Sequence, residues 1–375
     1  MRPFRPTPLQ WGLLLLAPLA AACVGTENPE GWAEPVRDGD VLFASLDRGE
    51  LSSLTFTEGG PIQISWTFPS DVRESEKDLD TEAIYPAPII QDGRIVIATH
   101  AEGVFSLDPL DGRILWRREG LGKEIVSAFA ETPSGDIAVG TADGFLHVID
   151  SVDGRTVDGW PTTGVELPAG IWASLALDSD TVYAATMDGD VFAFALSDGS
   201  SAWSRPFETS GAVLELALLP NGRLFVPSLD RKVYLLDPAT GESVTSPLPV
   251  KDWVWMKPTV EGHTAYFGDL SGRVYSLDIN TGILNWTSDL GDRIKASPIL
   301  LGELLLVVDR SPTVHFLTPA TGDRVNSVPL DAKTVRAPLL VTGDTVLVLS
   351  TDGKLFRARV QPEPSVIDLN IGSAQ

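Results

Sequence analysis

The side chains of this chain with capacity for chemistry are four histidines, one cysteine and a scatter of acids. His100, His147, His263 and His315 are its only imidazoles. None has a second histidine at the spacing from which a zinc site is built. The strings 108–112 and 150–154 both read Asp-x-x-Asp-Gly, but they lack the alternating acidic ligands and closing glutamate of a calcium loop. Turn chemistry accounts for them. Neither a serine nucleophile elbow nor a glycine-rich phosphate loop occurs. Metal and covalent chemistry are therefore not expected.

A second set points to binding. Tyr85, Trp172, Trp255 and Lys295 share one position ahead of a strand in four copies of a repeat, and Arg336 lies near that position in the last copy. Trp253, Lys257, Arg293 and Lys333 are close by in sequence. Repeat symmetry brings these residues to one mouth of a central channel. Trp, Tyr and Arg are enriched at binding hot spots, so the expected role is capture of a partner. The competing reading makes the aromatics a plug and the bases counterions to nearby carboxylates.

The elements that position them follow from the repeat. Glycines at 60, 112, 154, 199, 241, 282 and 322 each close a turn, at intervals of 40 to 52 residues. A period near 42 with several short strands is the mark of a β-propeller, one blade per copy. The sixth copy is the clearest. Met256 to Val260 leads to a turn at Gly262, Ala265 to Gly268 to a turn at Gly272, and Val274 to Asp278 to a turn at Gly282 before Ile283 to Trp286. Four short strands with glycine turns read as an antiparallel meander. Eight copies are counted, the last ending with Pro364 to Asn370 as its outer strand. The expected fold is all-β, an eight-bladed β-propeller of four-stranded antiparallel blades.

Most of the unusual residues then acquire structural duties. His147 and His315 fall where Phe192, Tyr234, Tyr275 and Phe356 stand in other copies, which predicts a shared packing slot. Trp116, Trp203 and Trp286 fall four residues after a turn glycine, and Trp66 and Trp160 six after. That regularity predicts blade-to-blade packing, with each indole N–H finding a nearby carbonyl. Apolar runs such as Leu304 to Val308 fit strands covered on both faces. The insertion from Asp71 to Glu82, rich in charge, reads as a solvated loop, and it is the one loop long enough to dock elsewhere.

The segments Val104 to Trp116, Val191 to Trp203 and Val274 to Trp286 resemble the PQQ-like repeat of β-propellers, and the resemblance spans nearly the whole chain after the leader. That family includes quinoprotein dehydrogenases and non-enzymatic lipoproteins similar to the outer-membrane protein assembly factor BamB. The dehydrogenases commonly carry a disulfide of adjacent cysteines over the quinone and a calcium site of Glu, Asn and Asp oxygens. This chain has one cysteine and no assignable counterpart of the calcium ligands. The resemblance therefore implies the non-enzymatic group.

Residues 1–22 read as an export signal, with Arg2 and Arg5 before the apolar stretch Trp11 to Leu19. That stretch is too short to span a bilayer comfortably. Ala20-Ala21-Ala22-Cys23 resembles a bacterial lipobox, with Ala20 in place of its usual leucine. Cys23 is accordingly the expected lipidation site, residues 23–31 a tether, and 32–375 the propeller. Plain secretory cleavage is the alternative. Formal net charge is −23, or −25 once the leader is lost, a field that repels nucleic acid.

The expectation is an exported, membrane-anchored scaffold on the extracytoplasmic side. Its expected partners are an envelope protein and, through the lipid, the membrane. No cofactor, no metal and no nucleic acid are expected. A PQQ-dependent dehydrogenase with an unorthodox site and a propeller binding glycans or small ligands remain as alternatives.

Overall fold

The computed structural model describes residues 33–46, 49–55, 62–70, 73–126, 129–335, 339–350, 354–361, 363–369 and 371–372. The leader, Cys23, the tether, Gly60, Asp71, Arg336 and Gly353 lie outside the described residues. The described strands form eight sheets in a ring, an eight-bladed β-propeller. Blade 1 comprises Val36–Asp38, Val41–Ala44, Leu51–Thr55 and Ile62–Phe68. Blade 6 comprises Thr259–Glu261, Thr264–Gly268, Arg273–Asp278 and Ile283–Asp289. Each blade is a meander in which successive strands pair antiparallel.

The core is divided among the seams between blades. In blade 6, Val274 packs with Leu305 and Val307 of blade 7, while the adjacent Tyr275 packs with Phe225 and Val233 of blade 5. Strand alternation therefore feeds both neighbours, which is why these strands are apolar at consecutive positions. One apolar cluster of this kind fills each of the eight seams. Burying one such side chain contributes about 1.5–3 kcal/mol.

Tryptophans in or just before the outer strands close the seams from outside, as the repeat spacing predicts. Nε1 donates to a carbonyl of the following blade: Trp66 to Pro109 at 3.0 Å, Trp116 to Ser151 at 3.1 Å, Trp203 to Pro238 and Trp286 to Pro319 at 2.8 Å. In blade 5 the position is Thr245, against Gly282. In blade 7 it is Asn326, whose amide donates to the Pro364 carbonyl at 3.1 Å.

Closure of the ring joins the two ends of the described chain by side-chain packing and by one short added strand. Blade 8, ending with Leu355–Arg359 and Ser365–Leu369, is built wholly from the end of the chain. Leu347, Leu349 and Leu355 pack on Leu42, Leu54 and Ile62 of blade 1. Ile371–Gly372 then adds a fifth strand to blade 1, pairing parallel with Ile62 and Gln63.

The insertion after blade 1 departs from expectation in its described part, because it docks. Glu76 is 2% exposed, and its carboxylate accepts from Arg73 Nη1 at 3.0 and 3.1 Å and from the Ser70 amide at 2.9 Å. Arg73 also donates to the carbonyls of Asp111 and Gly112 in blade 2. Leu79 packs into the seam below. A buried arginine–carboxylate pair with satisfied hydrogen bonds is a structural joint, which the surrounding run of charges conceals in the sequence.

Candidate functional site

In five of the blades the first strand is preceded by a β-branched residue that locks its entry into the ring. Ile84, Val213, Val254, Ile294 and Val335 form single bridges to Thr99, Ser228, Asp269, Asp309 and Ser350. All five are at most 3% exposed. The residue one step further is Tyr85, Leu214, Trp255 or Lys295 in successive members of this set. Val126 and Trp172 follow Ile125 and Ile171 in the same way. The position singled out in the sequence is thus a true structural equivalence.

These side chains fall into two groups. Tyr85, Val126 and Trp172, from blades 2, 3 and 4, pack into one cluster with Ala83. Tyr85 is 8% exposed and meets the His100 ring edge-on, 5.6 Å between centroids. It therefore offers a partner little surface, whereas Trp172 is half-buried. On the other side Lys295 Nζ stands 5.0 Å from the Trp255 ring centroid, a cation–π contact. Trp253 is half-buried, and its carbonyl accepts from the Leu270 amide. Arg293 and Lys333 are exposed.

Charges meet deeper in the channel. Glu34, just before the first strand of blade 1, pairs with Lys257 of blade 6 at 3.4 Å. The preceding residue, Ala33, donates its amide to the Ile84 carbonyl of blade 2 at 3.3 Å. Blades 2 and 6 are opposite members of the ring, so residues 33 and 34 bridge across the axis. Glu215 lies in the blade 5 wall at 4% exposure. It accepts from Ser174 Oγ at 3.2 Å and from the Leu216 amide at 3.1 Å. Burial pushes its carboxyl up to about 7, opposed by these bonds and by Lys257 and reinforced by Glu34. Glu34, Ser174 and Glu215 were not singled out in the sequence. The available signal was an acid inside the apolar run Leu214 to Leu219, at a position where blades 4 and 7 have Ala173 and Ala296.

The remaining polar residues hold the fold. Tyr275 donates to Asp269 Oδ2 at 2.7 Å and Tyr234 to Asp230 Oδ2 at 2.6 Å. His315, in the same slot, meets Asp309 Oδ2 at 2.8 Å through Nε2 and Ser327 at 2.8 Å through Nδ1. Where the slot holds Phe105, Phe192 or Phe356, the place of Asp269 and Asp309, six residues earlier, is taken by Thr99, Thr186 or Ser350; in blade 5 it is Ser228, and Tyr234 reaches the turn residue Asp230 instead. His147 donates Nε2–H to the Leu121 carbonyl at 2.5 Å, and its buried Nδ1 has no partner. Burial holds its pKa below the usual histidine value. His100 meets Glu82 at 2.6 Å, and His263 is exposed at a turn. Asp108, Asp150 and Asp278 accept backbone amides of their own turns. A polar cavity of about 240 Å³ between blades 2 and 3 is lined by Glu102, Arg117, Glu119 and Lys123, with Arg117 paired to both glutamates.

Comparison with known proteins agrees with the geometry. The family model described as outer membrane protein assembly factor BamB matches residues 20–247, 188–334 and 270–361. Proteins of that name in three species are similar to this chain. That of Shewanella oneidensis is 24% identical over 259 residues, 67% of this chain and 65% of the relative. The Burkholderia pseudomallei protein is 24% identical over 356 residues, 78% and 91% of the two chains. The Escherichia coli protein is 22% identical over 337 residues, 86% and 83%. Among solved structures, BamB from Moraxella catarrhalis superposes with a TM-score of 0.66 at 19% identity, covering 88% of this chain and 95% of its own. A computationally designed protein superposes at 0.69 with 17% identity, covering 89% and 98%. These two likenesses concern the fold.

Proposed function

The chain belongs to the outer membrane protein assembly factor BamB family, and from that premise we propose that it is a non-enzymatic, protein-binding scaffold of the cell envelope. In this reading lipid on Cys23 holds it to a membrane on the extracytoplasmic side. Its contact surface is the channel mouth, comprising Trp172, Trp253, Trp255, Lys257, Lys295 and Arg336, with Tyr85 packed behind Trp172 as support.

The observation that carries the reading is the mouth itself. Trp172 and Trp255 occupy one equivalent position on blades 4 and 6 and keep part of their surface exposed, while the other described tryptophans of the ring, Trp253 aside, fill seams. Half-buried indoles, one of them under the Lys295 ammonium, on a rigid frame suit recognition of another protein. The non-enzymatic reading is supported by how the acids and imidazoles are engaged. Asp269 alone accepts from the amides of Asp252, Ser271 and Arg273 and from two hydroxyls, so it is a turn cap.

Crosslinking and pull-down of the native protein from its membrane tests this. Wild-type protein is expected to retain an envelope protein, and the Trp172→Ala/Trp255→Ala variant to lose it with thermal stability nearly intact. Identical capture by both would remove the mouth from the mechanism. A bound-quinone absorbance on mixing with PQQ and Ca²⁺ would instead establish the dehydrogenase alternative.

A further inference from the structure

The seam between blades 2 and 3 is built differently from its neighbours at one point. Two residues beyond the tryptophan position, the outer strand of blade 1 carries Phe68, whose ring meets Phe105 of blade 2 at 5.1 Å between centroids. Between blades 7 and 8 the same two positions are Val328 and Phe356, which share one apolar cluster. Between blades 2 and 3 they are Arg118 and His147. An apolar pair has become a guanidinium and an imidazole. Each carries a buried nitrogen without a hydrogen-bond partner among the described residues, Arg118 Nε and His147 Nδ1. Buried polar atoms of folded proteins are otherwise nearly all satisfied, so two orphans in one place call for a cause.

The surroundings decide what the pair can hold. The Leu121 carbonyl only accepts, so His147 Nε2 carries the proton and Nδ1 of the neutral ring is a bare acceptor. Burial is the main cause that keeps the ring neutral, and the Arg118 charge adds to it. Gly164 lies over the face of the imidazole and not against its Nδ1 edge, since a Cβ there would stand 2.5 Å from Cε1 and 2.8 Å from either nitrogen. Arg118 is half-buried and permanently charged. Acids outnumber bases in this chain by 51 to 28, yet Glu102 and Glu119 are taken by Arg117, on the opposite face of the strand. Asp143, the acid that acts on His147, accepts from Thr141 and from the Lys123 amide. A water molecule would bridge the two nitrogens without compensating the guanidinium charge. We propose that Arg118 and His147 hold a small oxyanion that brings its own proton, hydrogen phosphate being the type. Its P–O–H donates to Nδ1, and its other oxygens accept from the guanidinium. Sulfate has a similar shape but no proton, so it is rejected until His147 is itself protonated. The polar cavity between these blades adjoins the site at Leu121, an approach that does not part the blades. The site is independent of the channel mouth.

Isothermal titration of the purified protein with inorganic phosphate and, separately, with sulfate tests this near pH 8, in chloride of matched ionic strength. Phosphate is expected to bind saturably at a single site, at least about tenfold more tightly than sulfate, the factor that one charge-assisted hydrogen bond supplies. Lowering the pH toward about 6 is expected to narrow the gap, because protonated His147 donates to sulfate. Arg118→Met is expected to weaken phosphate by at least about tenfold, and His147→Phe to make the two ions equal. Arg118→Phe with His147→Phe rebuilds the apolar pair of the seam between blades 1 and 2. That double variant is expected to melt no lower than wild type without phosphate and to bind neither ion. Both ions also stabilise proteins by exclusion from the surface, so the saturable heat decides binding. The comparison of ions on wild type stands if a variant does not fold. No saturable phosphate binding to wild type, equal affinities for the two ions near pH 8, or binding kept by the double variant would each overturn the proposal.

Discussion

The indole of Trp203 lies so close to Gly241 of the next blade that a methyl group on the glycine would stand 2.7 Å from the ring. The same contact recurs between Trp66 and Gly112, Trp116 and Gly154, and Trp286 and Gly322. Each of these glycines has φ between +72° and +74°. The turn thus needs glycine twice, for its backbone and for the surface it offers the indole.

Gly241→Ala is expected to destabilise the ring by about 2–4 kcal/mol, combining the left-handed backbone cost with overpacking against the ring. Gly222→Ala is the control, since its φ is +79° but nothing lies within 4 Å of a built Cβ. It should show only the backbone part, about 1–2 kcal/mol. Urea midpoints measure both. Equal losses would mean that the indole yields freely and the seam is not close-packed.

Asp269 is expected to matter more than the tyrosine it holds. Asp269→Ala strips three backbone amides and two hydroxyls of their acceptor, costing about 2–4 kcal/mol as buried donors lose partners. Tyr275→Phe removes one of those donors and leaves a residue that other blades accept in that slot, at about 1 kcal/mol. Chemical denaturation of the two variants should rank them in that order. The reverse ranking would show that the slot, not the cap, carries the turn.

The ring was legible because its causes are local and repeated. Turn glycines fix the period, and consecutive apolar positions such as Leu304 to Val308 announce burial on both faces. Trp203 could be assigned to a seam because its distance from Gly199 matches that of Trp116 from Gly112. What escaped depends on contacts between blades far apart in sequence. Glu34 and Lys257 are separated by more than half the chain, so no local window joins them. Glu215 sits in an apolar run and its partner Ser174 is a full blade away. Arg73 and Glu76 are three residues apart in sequence, yet their docking arises from the carbonyls of Asp111 and Gly112.

His147→Phe is expected to hold stability within about 1 kcal/mol at pH 7, since it loses one bond but also one unpartnered buried nitrogen. Its pH response is more diagnostic. Burial lowers the pKa of His147 below 6.5, so below that pH the unfolded chain takes up a proton that the folded chain refuses. Stability is present above the unfolded value and lost as pH falls toward the folded one. Replacement by Phe should remove this acid-side loss, seen as a flatter melting temperature between pH 6.5 and 5. An unchanged slope would show that His147 charges freely in place.

Glu215 works in the opposite direction. Its carboxyl moves from an ordinary 4.5 to about 7 on folding, so between those values the folded chain keeps a proton that the unfolded chain releases. Stability is full below about 4.5, falls as pH rises through the window, and levels off above about 7. The fall amounts to about 3 kcal/mol. Glu215→Gln is neutral throughout and should match wild type near pH 5 while exceeding it near pH 8. Lys257→Met should carry the window upward, because Lys257 favours the ionised carboxylate. It also releases Glu34, so the same variant links the acid in the wall to the segment that crosses the axis. Parallel pH profiles for wild type and Glu215→Gln would mean that water reaches this carboxyl, and the channel wall would then be open where the packing closes it.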